Sequence, residues 1–288
     1  MKEFLSRTRI RSTETIFKED SDMEQKELIT LNPIDDIMFR KMAEDREFVQ
    51  EILRVFLEDD GLIVTESIPQ WNGTNLQGRS VILDALAITG KGERVNIEIQ
   101  KSNDDDHQKR VRYNSSVITA GFTPKGTDFS DLTDVIVVFI SEFDIFKGRK
   151  SVYHIDRVIR ETGDIVDNGL TEVYVNARVK DGTPASDLLR VFTESNNYDR
   201  KFPKTSEIKR RLKCTEEGLT YMIIRMNEYR EQFMAEGEAK ERTRMAESTA
   251  ELVMQGKLSY DIALAVLGMT EEEFSVYCKR PVQESPEN

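Results

Sequence analysis

The sequence predicts an α/β protein: a mixed central β-sheet flanked by helices, followed by a helical extension toward the C-terminus. Three observations predict it. Residues 81–88 and 95–99 are two apolar runs separated by a short segment containing Gly90 and Gly92, the pattern of a β-hairpin. Residues 135–140 are continuously apolar, as expected of a strand covered on both faces and therefore central in its sheet. Beyond residue 205 the pattern changes, and Ala, Glu, Lys and Arg dominate residues 235–251, the composition of an exposed helix.

Taken in order, residues 1–29 lack sustained periodicity and are expected to form a flexible arm. Asn32 and Pro33 resemble an N-cap and first-turn proline, opening helices over residues 34–42 and 46–58. In the second, Phe48, Ile52, Leu53 and Phe56 fall at helical spacing and should pack on the sheet, leaving Glu51 and Glu58 solvated. A strand over residues 63–68 precedes a polar turn in which Trp71 reads as an aromatic lid on the core. Asp104, Asp105 and Asp106 stand just before a helix over residues 108–120 and read as capping residues rather than a metal cluster with His107. Strand candidates at 151–158 and 172–179 are joined by turns, and His154 reads as a packed side chain. Thr183 and Pro184 open a helix through residue 195, a long helix starts near Thr215, and capped segments at 259–267 and 270–277 predict a small helical hairpin. The implied division is an arm (1–29), a core domain (30–205), a long helix or coiled-coil-like linker (206–250) and a terminal hairpin and tail (251–288).

Composition narrows the function classes. At 288 residues, with 38% hydrophobic and 33% charged, the chain can bury a substantial core. No apolar run approaches a membrane span and no secretory core opens the sequence, so a cytoplasmic protein with no membrane partner is expected. Cys214 and Cys278 lie far apart without CxxC spacing, so neither a disulfide framework nor a zinc module is indicated and both are expected to be reduced. The net charge of −12 opposes indiscriminate binding to nucleic acid. Locally, however, Lys209, Arg210 and Arg211 belong to a basic segment that either meets phosphate or is a solvated loop and helix start.

The hairpin carries the chemistry. With Gly90 to Gly92 as the loop, Thr89 faces Glu93, Asp84 faces Glu98 and Ile82 faces Gln100. Asn96, Glu98 and Gln100 share one face of the second strand by its period-two geometry. Opposed carboxylates repel unless water, a proton or a cation lies between them. Mg2+ resolves the conflict, since it takes one or two carboxylates and keeps waters, an arrangement suited to phosphodiester hydrolysis.

Asp84, thirteen intervening residues and then Glu98, Ile99 and Gln100 resemble the PD-(D/E)xK nuclease signature. Gln100 stands where that superfamily usually has lysine, and Lys101 follows. This variation resembles the branch of PD-(D/E)xK family transposases or recombination-promoting nucleases. Residues Asp36 to Arg40 are similar to that branch's opening D-x-x-F-K/R pattern. Arg110 with Tyr113, the segment from Ser141 to Phe146, Tyr153, and Asp167 to Gly169 leading to Val175 and Asn176 agree with it too, so the similarity spans residues 30–180.

The resemblance implies a restriction-endonuclease-like core and a metal-dependent DNA endonuclease acting in mobile-element movement, recombination or defence. In that reading Asp84, Glu98 and the Ile99 carbonyl hold Mg2+, with Mn2+ as a possible substitute. Gln100 and Lys101 complete the catalytic centre, and Arg110 and Tyr113 support it. Asp36 is either an auxiliary acid near the metal or a carboxylate stabilising a helix N-terminus. A homodimer formed through the C-terminal helices is expected, because two single-strand cuts make a double-strand break. Glutamine donates hydrogen bonds but carries no charge, and a regular strand turns Lys101 to the opposite face. The rival expectation is therefore a weak or inactive nuclease-like fold that binds DNA or protein through its C-terminal helices. RNA cleavage by the same acids is a third.

Overall fold

The computed structural model describes residues 31–73, 80–103 and 106–278. The expected N-terminal arm, Asp104 and Asp105, and the end of the tail lie outside these residues. The described chain falls into two compact units, Met1–Ile224 and Arg225–Asn288.

The first unit is built on a six-stranded sheet. Its strands are β1 (Val64–Pro69), β4 (Ala85–Thr89), β5 (Arg94–Gln100), β6 (Val135–Ser141), β10 (Leu170–Asn176) and β7 (Val152–Ile155), in that spatial order. The continuously apolar β6 is interior, parallel to both β5 and β10, while β1, β4 and β7 run antiparallel to their neighbours. The sheet is therefore mixed. Two short ladders flank it: β2 (Asn72–Gly73) with β3 (Val81–Ile82), and β8 (Arg157–Val158) with β9 (Ile165–Val166).

Helices cover both faces. Parallel strands need a crossover, and α3 (His107–Gly121) supplies the one between β5 and β6, packing Val111, Val117 and Ile118 over Leu86, Val137 and Phe139. Trp71 stacks on Phe122 at 5.4 Å at the edge of this layer, as its lid reading expects. Close approach of β2 to α3 requires a residue without a side chain, because a Cβ on Gly73 would lie 2.6 Å from the Trp71 ring and 2.8 Å from Val117.

Helices α1 (Asp36–Met42), α2 (Arg46–Phe56) and α4 (Pro184–Thr193) contribute the other hydrophobic layer. Phe39, Phe48, Ile52, Leu53, Phe56 and Phe192 are all fully buried, with Phe48 stacked on Phe192. Glu51 is not simply solvated: its carboxylate accepts from the amides of Lys204 and Thr205, capping α5 (Pro203–Cys214). His154 is exposed rather than packed, because β7 is an edge strand whose outer end turns to solvent.

The segment before α1 is a junction. Its N-cap is Asp35 rather than Asn32. Asp35 accepts from the Asn32 amide at 2.7 Å and from Lys101 Nζ at 2.7 Å. Asn32 donates to Ser195 Oγ beyond α4, and Lys213 of α5 donates to the Leu31 carbonyl.

Helix α6 (Glu216–Met254) starts in the first unit and ends in the second. The expected hairpin follows as α7 (Tyr260–Leu267) and α8 (Glu271–Cys278). Gly268 ends α7 in the left-handed conformation at φ 59°. Thr270 and Glu273 form a reciprocal capping box. Ala250, Ala263 and Phe274 make the small core of this unit.

Candidate active site

The register follows the hairpin expectation as far as the acids. Ala85 pairs Ile97 and Ala87 pairs Val95, which carries Asp84 to the level of Glu98. There the first strand breaks: Ile82 pairs with Asn72 of β2 instead of continuing toward Gln100. Asp84 thus sits at the bend between β3 and β4, where its backbone leaves β5 and its carboxylate fills the gap. Asp84 Oδ2 accepts the Ile99 amide at 2.9 Å, in place of a strand carbonyl. Even-numbered residues of β5 turn their backbone groups toward β6, as Gln100 does when its carbonyl accepts the Glu142 amide at 3.1 Å. The amide and carbonyl of Ile99 therefore both face the Asp84 side.

Both acids are buried, Asp84 7% exposed and Glu98 6%. Burial first, and then the neighbouring Asp84 charge, push the Glu98 carboxyl up to about 8, against the pull of Arg110. Glu98 Oε1 accepts from Asn114 Nδ2 at 3.2 Å. Asp84 Oδ1 accepts from Arg40 Nη2 at 3.0 Å, and Arg40 Nε lies 2.7 Å from Asp36 Oδ1 in an i,i+4 pair on α1. Asp36 is pushed up to about 7, by burial first and by the Asp84 charge next, with Arg40 opposing.

Gln100 is held at both ends of its amide: Oε1 accepts Arg110 Nη1 at 2.7 Å and Nε2 donates to the Ser102 carbonyl at 2.9 Å. Lys101 turns away from this face and donates to Asp35. Burial alone lowers its pKa, but the Asp35 hydrogen bond and charge raise it above the ordinary lysine value. Tyr113 joins Glu98, Arg110 and Asn114 in lining a cleft of about 420 Å³.

The structure therefore brings together Asp36, Asp84, Glu98, Ile99, Gln100, Arg110 and Tyr113, and sets Lys101 apart. The basic segment lies elsewhere, on α5. Lys209 is fully buried and its Nζ donates to the carbonyls of Val191, Glu194 and Asn197 at 2.7, 2.6 and 3.1 Å, so it closes the C-terminal end of α4 instead of meeting solvent. Arg210 and Arg211 are exposed, with Arg210 over the Tyr198 ring at 4.7 Å.

Sequence reasoning did not assign site roles to Arg40 and Asn114. Asn114 stands one helical turn after Arg110, so the helical face already carrying Arg110 and Tyr113 was the available signal. Arg40 stood in the quoted motif, four residues after Asp36, the spacing of a helical ion pair.

Among the described residues no three His, Cys, Asp or Glu side chains gather to hold a metal by themselves. The available donors are oxygens: two opposed carboxylates and a strand carbonyl on the same side. That set fits a hard divalent ion that keeps several waters.

A mixed sheet flanked by helices, with one acid where a strand bends and the second on the adjacent strand, defines a restriction-endonuclease-like protein. The sequence profile of the PD-(D/E)XK nuclease family transposases matches residues 33–181, and the chain belongs to that family. Among curated proteins and solved structures, none matches it. PD-(D/E)XK nucleases generally use divalent metals, and the family implies a DNA substrate. No helix among the described residues is long and apolar enough to cross a membrane.

Proposed function

We propose that this chain is a metal-dependent DNA endonuclease that hydrolyses phosphodiester bonds in mobile-element movement, recombination or defence, working in the cytoplasm. The observation that supports this most is the buried, opposed pair Asp84 and Glu98, two carboxylates that stay ionised together only with a cation between them. Asp84, Glu98 and the Ile99 carbonyl are the groups to hold Mg2+ or Mn2+. When bound, the ion supplies charge to a phosphoryl oxygen and lowers the pKa of a bound water.

The chain's own residues prepare that site. The Ile99 amide fixes one oxygen of Asp84, and Asn114 fixes one oxygen of Glu98. Gln100 anchors Arg110, whose guanidinium brings to the cleft the positive charge that Gln100 lacks and presents a forked donor to phosphate. Tyr113 lines the same cleft. Exposed Arg210 and Arg211 are further candidates for phosphate contact, outside the lining of that cleft.

Nicking of supercoiled plasmid in Mg2+, Mn2+ and EDTA tests this reading. Metal-dependent cutting is expected, reduced at least about 100-fold in Asp84→Asn and Glu98→Gln, since each removes a charge from the metal's donor set. Full activity in both variants would sink the assignment. The second reading, a nuclease fold that binds without cutting, draws on Lys101 being engaged with Asp35 instead of the acids. It moves ahead if the folded protein binds DNA or a partner and never nicks.

A further inference from the structure

Both oxygens of Asp84 are already in use. Oδ2 takes the Ile99 amide, a backbone contact fixed by the strand. Oδ1 takes Arg40 Nη2 at 3.0 Å, with Arg40 Nε at 3.4 Å from the same atom. An incoming divalent ion must therefore share an oxygen with a guanidinium or displace it. In a largely water-excluded site, a charge of +2 and a charge of +1 on one oxygen repel strongly. The two groups differ in freedom: the Arg40 side chain is 26% exposed, and that of Asp84 is 9% exposed. The guanidinium can move outward while the carboxylate stays. It also has a second anchor, because Nε lies 2.7 Å from Asp36 Oδ1 on the same helix face.

We propose that Arg40 is the site's resident counter-cation. It neutralises Asp84 in the metal-free protein, competes with the divalent ion for Oδ1, and yields that oxygen on metal binding while remaining on Asp36. The inference rests on the metal-holding role of Asp84 and Glu98 given above, and adds to it a built-in competitor that sets the metal concentration at which the site fills. Asp36 then acts as the post on which the guanidinium is kept, a positioning role rather than that of a ligand.

The test is calorimetric titration of Mn2+ into the full chain, its Arg40→Gln and Arg40→Lys variants and Asp84→Asn, with thermal melting in EDTA alongside. Arg40→Gln is expected to bind Mn2+ about 10-fold more tightly than the parent, because a charge-assisted competitor has been removed. It should also melt at lower temperature in EDTA and recover more on Mn2+ addition. Arg40→Lys keeps the charge without the planar fork, so its affinity should fall between the two. Asp84→Asn should bind least. Equal or weaker Mn2+ binding by both Arg40 variants, with the parent binding normally, overturns the competition and leaves the metal site standing. No Mn2+ binding by parent or Arg40 variants overturns both. If Arg40→Gln does not fold in EDTA, the Arg40→Lys titration alone decides.

Discussion

Glu98 is where burial and function conflict. The folded protein raises its carboxyl from an ordinary 4.5 to about 8, so the native state keeps a proton that the unfolded chain releases. Native stability from this group is fully present below about pH 4.5 and is lost as pH rises through about 8. Asp36, raised to about 7, acts in the same direction. Thermal melting in EDTA should therefore show the parent losing stability between pH 5 and pH 8, by on the order of a few kcal/mol. Glu98→Gln, permanently neutral, should show a shallower decline. A parent and variant with parallel pH profiles would refute the assignment of that proton to Glu98. At this scale the acid pair was readable from sequence, because period-two alternation and the glycine-containing loop fix which residues oppose. The partners of those acids were signalled only as helical neighbours of other candidates: Arg40 reaches Asp84 from α1, 44 residues upstream, and Asn114 reaches Glu98 from the next helix, contacts that a single sequence does not carry.

At the level of elements, α5 shows how a charge pattern misleads. The basic segment at residues 200–213 reads either as a phosphate contact or as a solvated loop and helix start; a helix does begin, at Pro203, but it buries Thr205, Ile208 and Leu212. Pro203 at its first turn was the legible start signal. The burial of Lys209 was not legible, because it depends on the end of α4 arriving with three carbonyls that match the three protons of an ammonium. Burial first, then repulsion from Lys213, lowers the Lys209 pKa to about 8. Lys209→Met preserves much of the volume and strands those carbonyls, so it should cost roughly 3 kcal/mol in denaturant unfolding. Arg211→Met, on the exposed face of the same helix, should change stability by less than about 0.5 kcal/mol. Strand assignments fared better: β6, β10 and the hairpin follow from apolar patterning. The bend at Leu83 and Asp84 did not, because β2 captures the end of the first run and nothing local in that run records its presence.

For the whole molecule, a net charge of −12 makes general attraction to DNA weak. The proposed cleavage therefore has to rely on local cations, Arg110 at the cleft foremost. The second unit offers a route to the proposed homodimer: Ile262 and Val266, one helical turn apart on α7, are 52% and 66% exposed, and Val276 of α8 is 68% exposed. Sedimentation of the full chain should show a dimer, and the pair Ile262→Glu with Val266→Glu should give a folded monomer. A parent that sediments only as a monomer, with and without DNA, removes the dimer from the proposal. The change in composition beyond residue 205 reads as a domain border, whereas the two compact units part at Ile224 and Arg225. That border has no local signal, because α6 runs unbroken through it and no Gly or Pro stands at Ile224 and Arg225.

The junction at residues 31–35 gives the displaced lysine an occupation of its own. Lys101 follows directly on the strand that carries Glu98 and Gln100, and its ammonium holds Asp35, the residue on which α1 begins. Arg40 rides on that helix. The contact therefore links the strand of the acid pair to the start of that helix, at a junction that also reaches Ser195 and α5 through Asn32 and Lys213. A lysine absent from the cleft thus ties the strand of Glu98 to the helix of Arg40, and slackening that tie would let helix and strand drift apart without touching a single group in the cleft.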